Sequence, residues 1–438
     1  MVAPRVVLRL APGTLVEESP AKVRLARRRA ALSIHQPPSA VRSLIARLAS
    51  GAASEADLIG ASVAAAAELR HVLAALEERG LLGASVPFIV DVEPLRGAVR
   101  VTRARAPSSP ALSGFACLRP EGAGLALESP LATGRAVLHG RRGCALAGAL
   151  AAGETGGLDV DERAAVALLA AAGLLADKDE KRQGAQAWEW HDLLFHAETR
   201  GWSDGRPRGG TYRLRGVVDP PPDARPQHGG RAVELQRADL EALAVEDVPF
   251  GAVLERRRSE RRFDDRRPVT VYELGLLLDR SAARRVLFTS EGIECSRRPS
   301  PSGGGLAALE LYPVVHRCEG LDSGVYHYEA DAHRLRLIGD EPPELELPES
   351  GHAPQVTLAV AVRHERIAWK YERIAYQLAL LDLGVLYQTI WLTATAMGLG
   401  GYPLGSLDAA RFASVTDLDP LEEAGLGAFI LGRPERTP

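Results

Sequence analysis

One stretch limits the possible folds of this chain more than any other: residues 365–397, reading ERIAWKYERIAYQLALLDLGVLYQTIWLTATAM. Its apolar positions Ile367, Tyr371, Ile374, Leu378, Leu381 and Val385 step by four and three, the seam of a helix and not the alternation of a strand. The spacing predicts one continuous helix, roughly 50 Å long at 1.5 Å per residue, which must run through a core or a subunit interface. The run Gly398-Leu399-Gly400-Gly401 then ends it. Its second half is apolar enough to raise the question of a membrane span, but Asp382 and Gln388 sit in the middle. A mid-bilayer Asp costs about 2.5–3.5 kcal/mol, so a buried helix is the expectation.

The rest of the composition agrees with a soluble, cytoplasmic protein. The chain has 438 residues, enough for two to three domains, and 46% hydrophobic content, enough for real cores. A formal charge of -3 gives no global attraction to nucleic acid or to acidic membranes. Cys117, Cys144, Cys295 and Cys318 are far apart and show neither CxxC nor a His-paired metal spacing, so neither disulfide staples nor a metal site is expected. The opening MVAPRVVLRLAPG lacks the layout of a secretory signal.

In the first part of the chain, residues 5–10 alternate as a strand and residues 22–34 form an apolar and basic run ending at Gln36-Pro37-Pro38. Helical patterns follow at 39–49 and 65–79, the second closed by Gly80-Leu81-Leu82. The order then returns: Glu18-Ser19-Pro20 is echoed by Glu128-Ser129-Pro130, and the Gly80-Leu81-Leu82 closure by Gly173-Leu174-Leu175. We read a diverged tandem duplication of a small winged-helix-like unit, at 1–90 and 91–176. Arg27-Arg28-Arg29 is a candidate DNA contact or simply a solvated hairpin face. The Ala- and Leu-rich helices give a thin electrostatic footprint, which favours protein or peptide binding over DNA.

Residues 177–183 read as a charged linker and 188–196 (WEWHDLLFH) as an aromatic-rich helix. His191 and His196 fall on different faces with no zinc spacing. A Pro- and Gly-rich strap at 217–230 is expected to lie extended along a surface. Linker, helix and strap together occupy 177–234. The last domain, 235–438, combines helical patterns at 237–243, 248–257 and 271–280 with strands at 309–316, 325–328, 334–338, 355–363 and 427–431, an α+β architecture.

Arg257-Arg258-Ser259-Glu260-Arg261-Arg262-Phe263 is the densest cationic cluster, and arginine forks with a Ser hydroxyl suit a dianionic phosphate. Pro301-Ser302-Gly303-Gly304-Gly305 lets backbone approach a ligand closely, though no GK[ST] makes it a P-loop, and the glycines at 398–401 follow a helix and so are no dinucleotide fingerprint. Lys370 is titratable on an otherwise apolar segment: held against apolar neighbours it can act as a base, and equally it can snorkel to solvent beside a core Tyr371.

The order RRSERRF, PSGGG before ALELYPVV, AWKYERIAY, GLGGYPLGSLD and a terminal FILGRP resembles the flavin-dependent nitroreductase superfamily, and within it the SagB-type azoline dehydrogenases of peptide-modifying pathways. The likeness covers about residues 188–438, and its more specific parts are the Lys370-Tyr371 pair and the stretch VYHYEADAHRLRLI. It implies FMN in a homodimer with flavin sites at the subunit interface and the long helix in the dimer core. Arg257, Arg258, Ser259 and Arg261 would hold phosphate and ribityl chain, with help from Arg433. Pro301, Ser302 and Gly303 would come from the partner subunit, and Leu404, Gly405 and Ser406 would line the isoalloxazine. Where the family often continues its glycine loop with a Tyr-Pro pair, this chain has Leu306-Ala307-Ala308. The implied reaction turns thiazoline or oxazoline rings of a precursor peptide into azoles, with Lys370 as base and Tyr371 orienting it or relaying the proton. The two front units would then hold the peptide or dock a cyclodehydratase. A small-molecule nitroreductase using NAD(P)H and a flavin-free scaffold or regulator are the competing readings.

Overall fold

The computed structural model describes residues 6–28, 30–60, 65–176, 183–200, 206–342 and 354–435. The chain divides into two compact units, Met1–Arg206 and Pro207–Pro438. The expected linker thus falls largely outside the described residues, and the second unit takes in the strap that the sequence reading kept apart.

In the first unit a six-stranded antiparallel sheet runs in the order Val7–Leu10, Leu82–Val86, Val90–Pro94, Gly134–His139, Gly124–Glu128, Cys117–Glu121. A smaller sheet of three strands, Leu15–Ser19, Lys22–Arg27 and Ala30–His35, adjoins it. The sequence echo has a structural counterpart. The helices Ala66–Glu78 and Val160–Ala171 both end on a left-handed glycine, Gly80 or Gly173, and the next leucine amide reaches back to a helix carbonyl: Leu81 N to Leu76 O at 2.9 Å, Leu174 N to Leu169 O at 3.0 Å. The expected boundary at 90/91 nevertheless falls at the start of the strand Val90–Pro94, which pairs with Gly134–His139 from the second half. One core, including Leu25, Leu44, Leu73, Val92, Leu146 and Leu169, unites the two halves.

The arginine hairpin is not the free surface that a DNA contact needs. Arg27 is 5% exposed, donates to the carbonyls of Pro12 and Pro94, and pairs with Glu93 at 3.1 Å. Arg28 donates to Leu95 O, and Arg29 lies outside the described residues. On the helix Trp190–Arg200, His191 is exposed beside Glu189 and Asp192, and His196 stacks obliquely on Trp188.

The second unit is built on a seven-stranded antiparallel sheet, ordered Ala232–Glu234, Arg334–Gly339, Gly324–Glu329, Leu309–Val315, Val356–Arg363, Glu423–Gly432, Gly400–Leu404. Helices Val271–Ala282 and Ala375–Ala396 pack on one face through Leu274, Leu278, Ala379, Leu386 and Ile390. Phe412, from the helix Ala409–Thr416, and Leu418 just beyond it cover Tyr312, Ala359 and Ala361 on the other face. Burial on both faces explains why Val356–Arg363 reads VTLAVAVR without alternation. The α+β expectation holds. The sequence patterns missed the separate hairpin Val286–Ser290 and Ile293–Arg297 and the edge strands at 232–234 and 400–404.

The stretch 365–397 is not one helix. A short helix, His364–Lys370, gives way to the two-residue strand Tyr371–Glu372, and a 22-residue helix, Ala375–Ala396, follows. The break has two causes: Tyr371 and Glu372 pair with Gly210 and Gly209, and Arg373 is left-handed at φ 66°. The longer helix spans roughly 33 Å. By length and hydropathy it passes as a membrane span, yet Ala379, Asp382, Leu383, Leu386, Ile390 and Ala394 face the protein interior. Leu380, Leu381 and Val385 are exposed, so the buried seam is rotated by one residue from the predicted one. Gly398 caps the helix, with Leu399 N bonded to Ala394 O.

Candidate functional site

Two groups of predicted site residues lie along this helix. The first is the arginine segment. The short helix Phe250–Arg256 ends at Arg257, after which the chain runs beside the strand Gly400–Leu404, with Ser259 opposite Gly401 and Glu260 N bonded to Gly401 O at 3.2 Å. Gly400 permits this approach, because a Cβ there would lie 2.8 Å from the Glu260 side chain. The Arg257 guanidinium stacks 4.2 Å above the Trp391 ring, and Arg261 stands 5.1 Å from the ring of Tyr402. Among the described residues no carboxylate pairs with either, whereas Arg258 pairs with Glu260 at 3.1 Å and Arg433 with Glu273 at 2.6 Å. Leu404 accepts from the Tyr387 hydroxyl, Gly405 and Ser406 are exposed, and the space beside Gly405 is open.

These residues fit a phosphorylated, planar cofactor. Two guanidiniums without carboxylate partners, an exposed Ser259 hydroxyl and an open backbone ledge at 404–406 are what an anionic tail and a flat ring need. Arg258 would have to exchange Glu260 for the anion, and Arg433 would have to leave Glu273.

The second group is the glycine loop. Ser302 Oγ accepts from Ala307 N at 2.8 Å, and Gly303 N donates to both oxygens of Asp382, at 2.9 and 3.1 Å. Asp382 is 8% exposed, and burial pushes its carboxyl up to about 6, against the pull of the Gly303 amide. Gly304 is left-handed at φ 65°, and a Cβ there would stand 2.6 Å from Tyr371 Oη and 3.0 Å from Lys370 Nζ. Lys370 and Tyr371, which the sequence reading places on one continuous helix, instead flank its break and bring their polar heads to the turn of the glycine loop. The helix break is what aims them. Burial pushes the Cys295 thiol up, although the charges of Lys370 and Arg366 act the other way, and Sγ lies 3.6 Å from Gly304 O.

Within one chain the two groups do not meet. Asp382 and Trp391 are nine positions apart on one helix, roughly 14 Å. The open face of this helix carries Leu380 and Leu381 just before Asp382 and Val385 just after it, all three exposed.

Sequence reasoning missed the charges that hold the Lys370 helix in place. Arg366 is fully buried and donates to the carbonyls of Leu306, Pro221 and Glu294. Trp369 Nε1 donates to Val218 O, and Arg363 donates to Asp223 O. Arg363, Arg366 and Trp369 step by three, so one side of the chain entering the site pins the strap from Val218 to Asp223. The strap does not merely lie on a surface: Asp223 is 1% exposed and pairs with Arg284 at 3.2 Å. Nearby, Glu310 is buried against His327; burial alone would raise its carboxyl, but the His327 hydrogen bond and the charges of Arg298 and Arg363 hold it below the ordinary range. A pattern search could have found these residues only as charges inside otherwise apolar strands, such as Glu310 in LELYPVV.

Comparison with known proteins gives the following likenesses. The Nitroreductase family profile matches residues 254–433, and that of the cyanobactin oxidase ThcOx matches residues 110–204. MJ1384 of Methanocaldococcus jannaschii, provisionally named a nitroreductase, is 30% identical over 186 residues, 40% of this chain and 86% of that protein. The trifolitoxin-processing protein TfxB of Rhizobium leguminosarum bv. trifolii is 31% identical over 175 residues, 36% of this chain, which spans 46% of TfxB. The solved E. coli microcin synthetase McbBCD complex with truncated pro-MccB17 bound has a chain 19% identical, with a TM-score of 0.34 over 56% of this chain and 86% of that one.

Proposed function

The chain belongs to the nitroreductase family, and from that premise we propose that it is an FMN-dependent azoline dehydrogenase acting on a ribosomally made precursor peptide. The observation that carries the proposal is the convergence of Lys370 and Tyr371 on the Gly304 turn. The likenesses to a cyanobactin oxidase profile and to a trifolitoxin-processing protein support a peptide substrate.

Arg257, Ser259 and Arg261 would hold the phosphate and ribityl chain, joined by Arg258 and Arg433 once these release their carboxylates. The backbone at Leu404, Gly405 and Ser406 would line the ring. The chemistry that FMN supplies when bound is acceptance of a hydride equivalent, returned to molecular oxygen. This chain's residues do the rest. Lys370 Nζ takes the proton from the azoline carbon next to the carbonyl, and the Tyr371 hydroxyl orients that ammonium or relays its proton toward solvent. The Asp382 carboxylate fixes the Gly303 amide and so the turn against which both heads lie. The Pro301, Ser302 and Gly303 loop would serve the flavin of a partner subunit in a homodimer, a reading supported by the roughly 14 Å separation and by the exposed Leu380, Leu381 and Val385 on the same helix. The two front halves, read as winged-helix-like, would capture the peptide or dock a cyclodehydratase; the strand Leu15–Ser19, exposed throughout at a sheet edge, supports strand addition.

The test is the purified protein's visible spectrum, followed by incubation with a thiazoline-bearing peptide in air and mass detection of the loss of two hydrogens per ring. We expect bound FMN and azole formation in the native chain, and in Lys370→Ala bound FMN without azole formation. A colourless protein that takes up no added FMN would overturn the reading. Bleaching by NADPH with no action on the peptide would favour a small-molecule nitroreductase.

A further inference from the structure

The helix that carries Lys370 has a second face, away from the glycine loop, and a groove of about 530 Å³ runs along it. Clefts of roughly 300–1,000 Å³ are the usual size for a bound ligand. One wall is the strap, with Val218 and the proline run Pro220 to Pro222. Trp369 forms the floor, and the other wall is the segment from Asp417 to Glu423. The groove therefore begins one residue from the candidate base.

Its charge is one-sided. Arg225 is spent on Glu423 at 2.7 Å, and Arg363 on Asp223 O and Glu310. Asp219, Asp417, Asp419 and Glu422 line the same groove, are exposed, and have no cationic partner among the described residues. Glu365 adds a fifth carboxylate, 3.8 Å from Arg363. An apolar floor under unpaired carboxylates complements a chain that alternates apolar and cationic side chains and repels an acidic one.

We propose that this groove docks a lysine- or arginine-bearing segment of the peptide substrate, with its apolar side chains on Val218, Pro220 and Pro222 and its cations on Asp219, Asp417, Asp419 and Glu422. The inference rests on the peptide-substrate reading above and adds the character of the segment flanking the reacting ring. Proline at three successive wall positions keeps that wall extended and rigid, so the groove exists before the peptide arrives.

The test is fluorescence anisotropy of the full chain with a labelled peptide alternating lysine and leucine, and with its glutamate–leucine counterpart. We expect the basic peptide to bind, to be released by salt, and to bind about tenfold more weakly to the triple variant Asp417→Asn, Asp419→Asn, Glu422→Gln. The substitutions spare the fold: Asn tolerates the left-handed backbone at 417, where φ is 53°, and an amide oxygen at 419 still accepts from Leu421 N. A control, Glu241→Gln with Glu246→Gln, removes two exposed carboxylates outside the groove and leaves binding unchanged. Equal binding of the acidic peptide, an unaffected triple variant, an equal loss in the control, or full displacement by stoichiometric spermidine would each overturn the proposal. Because binding needs no turnover, azole formation with no effect of the triple variant sinks the groove alone, and groove binding without azole formation sinks the oxidase reading alone.

Discussion

Asp382→Asn tests whether the carboxylate beneath the glycine loop is buried at a cost. The side chain is 8% exposed, and its only hydrogen-bond donor among the described residues is Gly303 N. Burial raises its carboxyl from 3.8 to about 6. A shift of about two units corresponds to roughly 3 kcal/mol between the protonation states. Because the folded value is the higher one, the stabilisation is fully present below the unfolded value of 3.8 and is lost as pH rises through about 6. The Asn variant carries no charge at any pH, and its amide oxygen still accepts the Gly303 N–H. Its stability relative to the native chain should therefore rise by roughly 3 kcal/mol between about pH 4 and about pH 7. Urea titrations of both chains across that range measure the difference, which cancels the titration of all other groups. A difference that is constant with pH would refute the reasoning, since it would mean that Asp382 titrates alike in the folded and unfolded chains.

Two further outcomes follow from the geometry. Arg366→Met takes the guanidinium donor away from the buried carbonyls of Leu306 and Pro221 and the partly buried one of Glu294, so it should cost about 3–5 kcal/mol and lower the midpoint of thermal unfolding by roughly 6–20 °C, read by calorimetry. Gly304→Ala meets both a left-handed backbone and the Tyr371 hydroxyl, so it should cost about 1–2 kcal/mol and suppress azole formation while FMN absorbance is retained; unchanged turnover would separate the loop from the chemistry.

How much of this the sequence discloses depends on how local the cause is. Helix ends set by their own residues were legible, as at Gly80, Gly173 and Gly398, because a glycine permits the left-handed cap. The break after Lys370 was not. Ile367, Tyr371 and Ile374 continue the helical period across it, and its cause is pairing with Gly209 and Gly210, far away in the chain. The same limit hid the shared core of the first unit: the sequence echoes pointed to two separate units, whereas the strand pairing that unites the two halves is long-range. At the candidate site, Lys370 and Tyr371 were legible as neighbours and as part of a motif, and their convergence on Gly304 depends on the break that the period concealed. Arg363 and Arg366 were passed over because a charged side chain counts as a surface residue until three carbonyls are found around it.

The helix Ala375–Ala396 shows that a signal was present in a place that periodicity does not weigh. A helix that is apolar nearly all round has no strong moment, so the choice of buried seam among its leucines is weakly determined. The seam through Leu378, Leu381 and Val385 was one residue off. Asp382 decides the matter. A lone carboxylate on such a helix is tolerable inside only where a donor meets it, and Gly303 N is that donor. Turning Asp382 inward carries Ala379, Leu386 and Ile390 with it into the core and forces Leu380, Leu381 and Val385 out. The polar residue that argues against a membrane span therefore also fixes the rotation of the helix, and with it which of its leucines are left exposed.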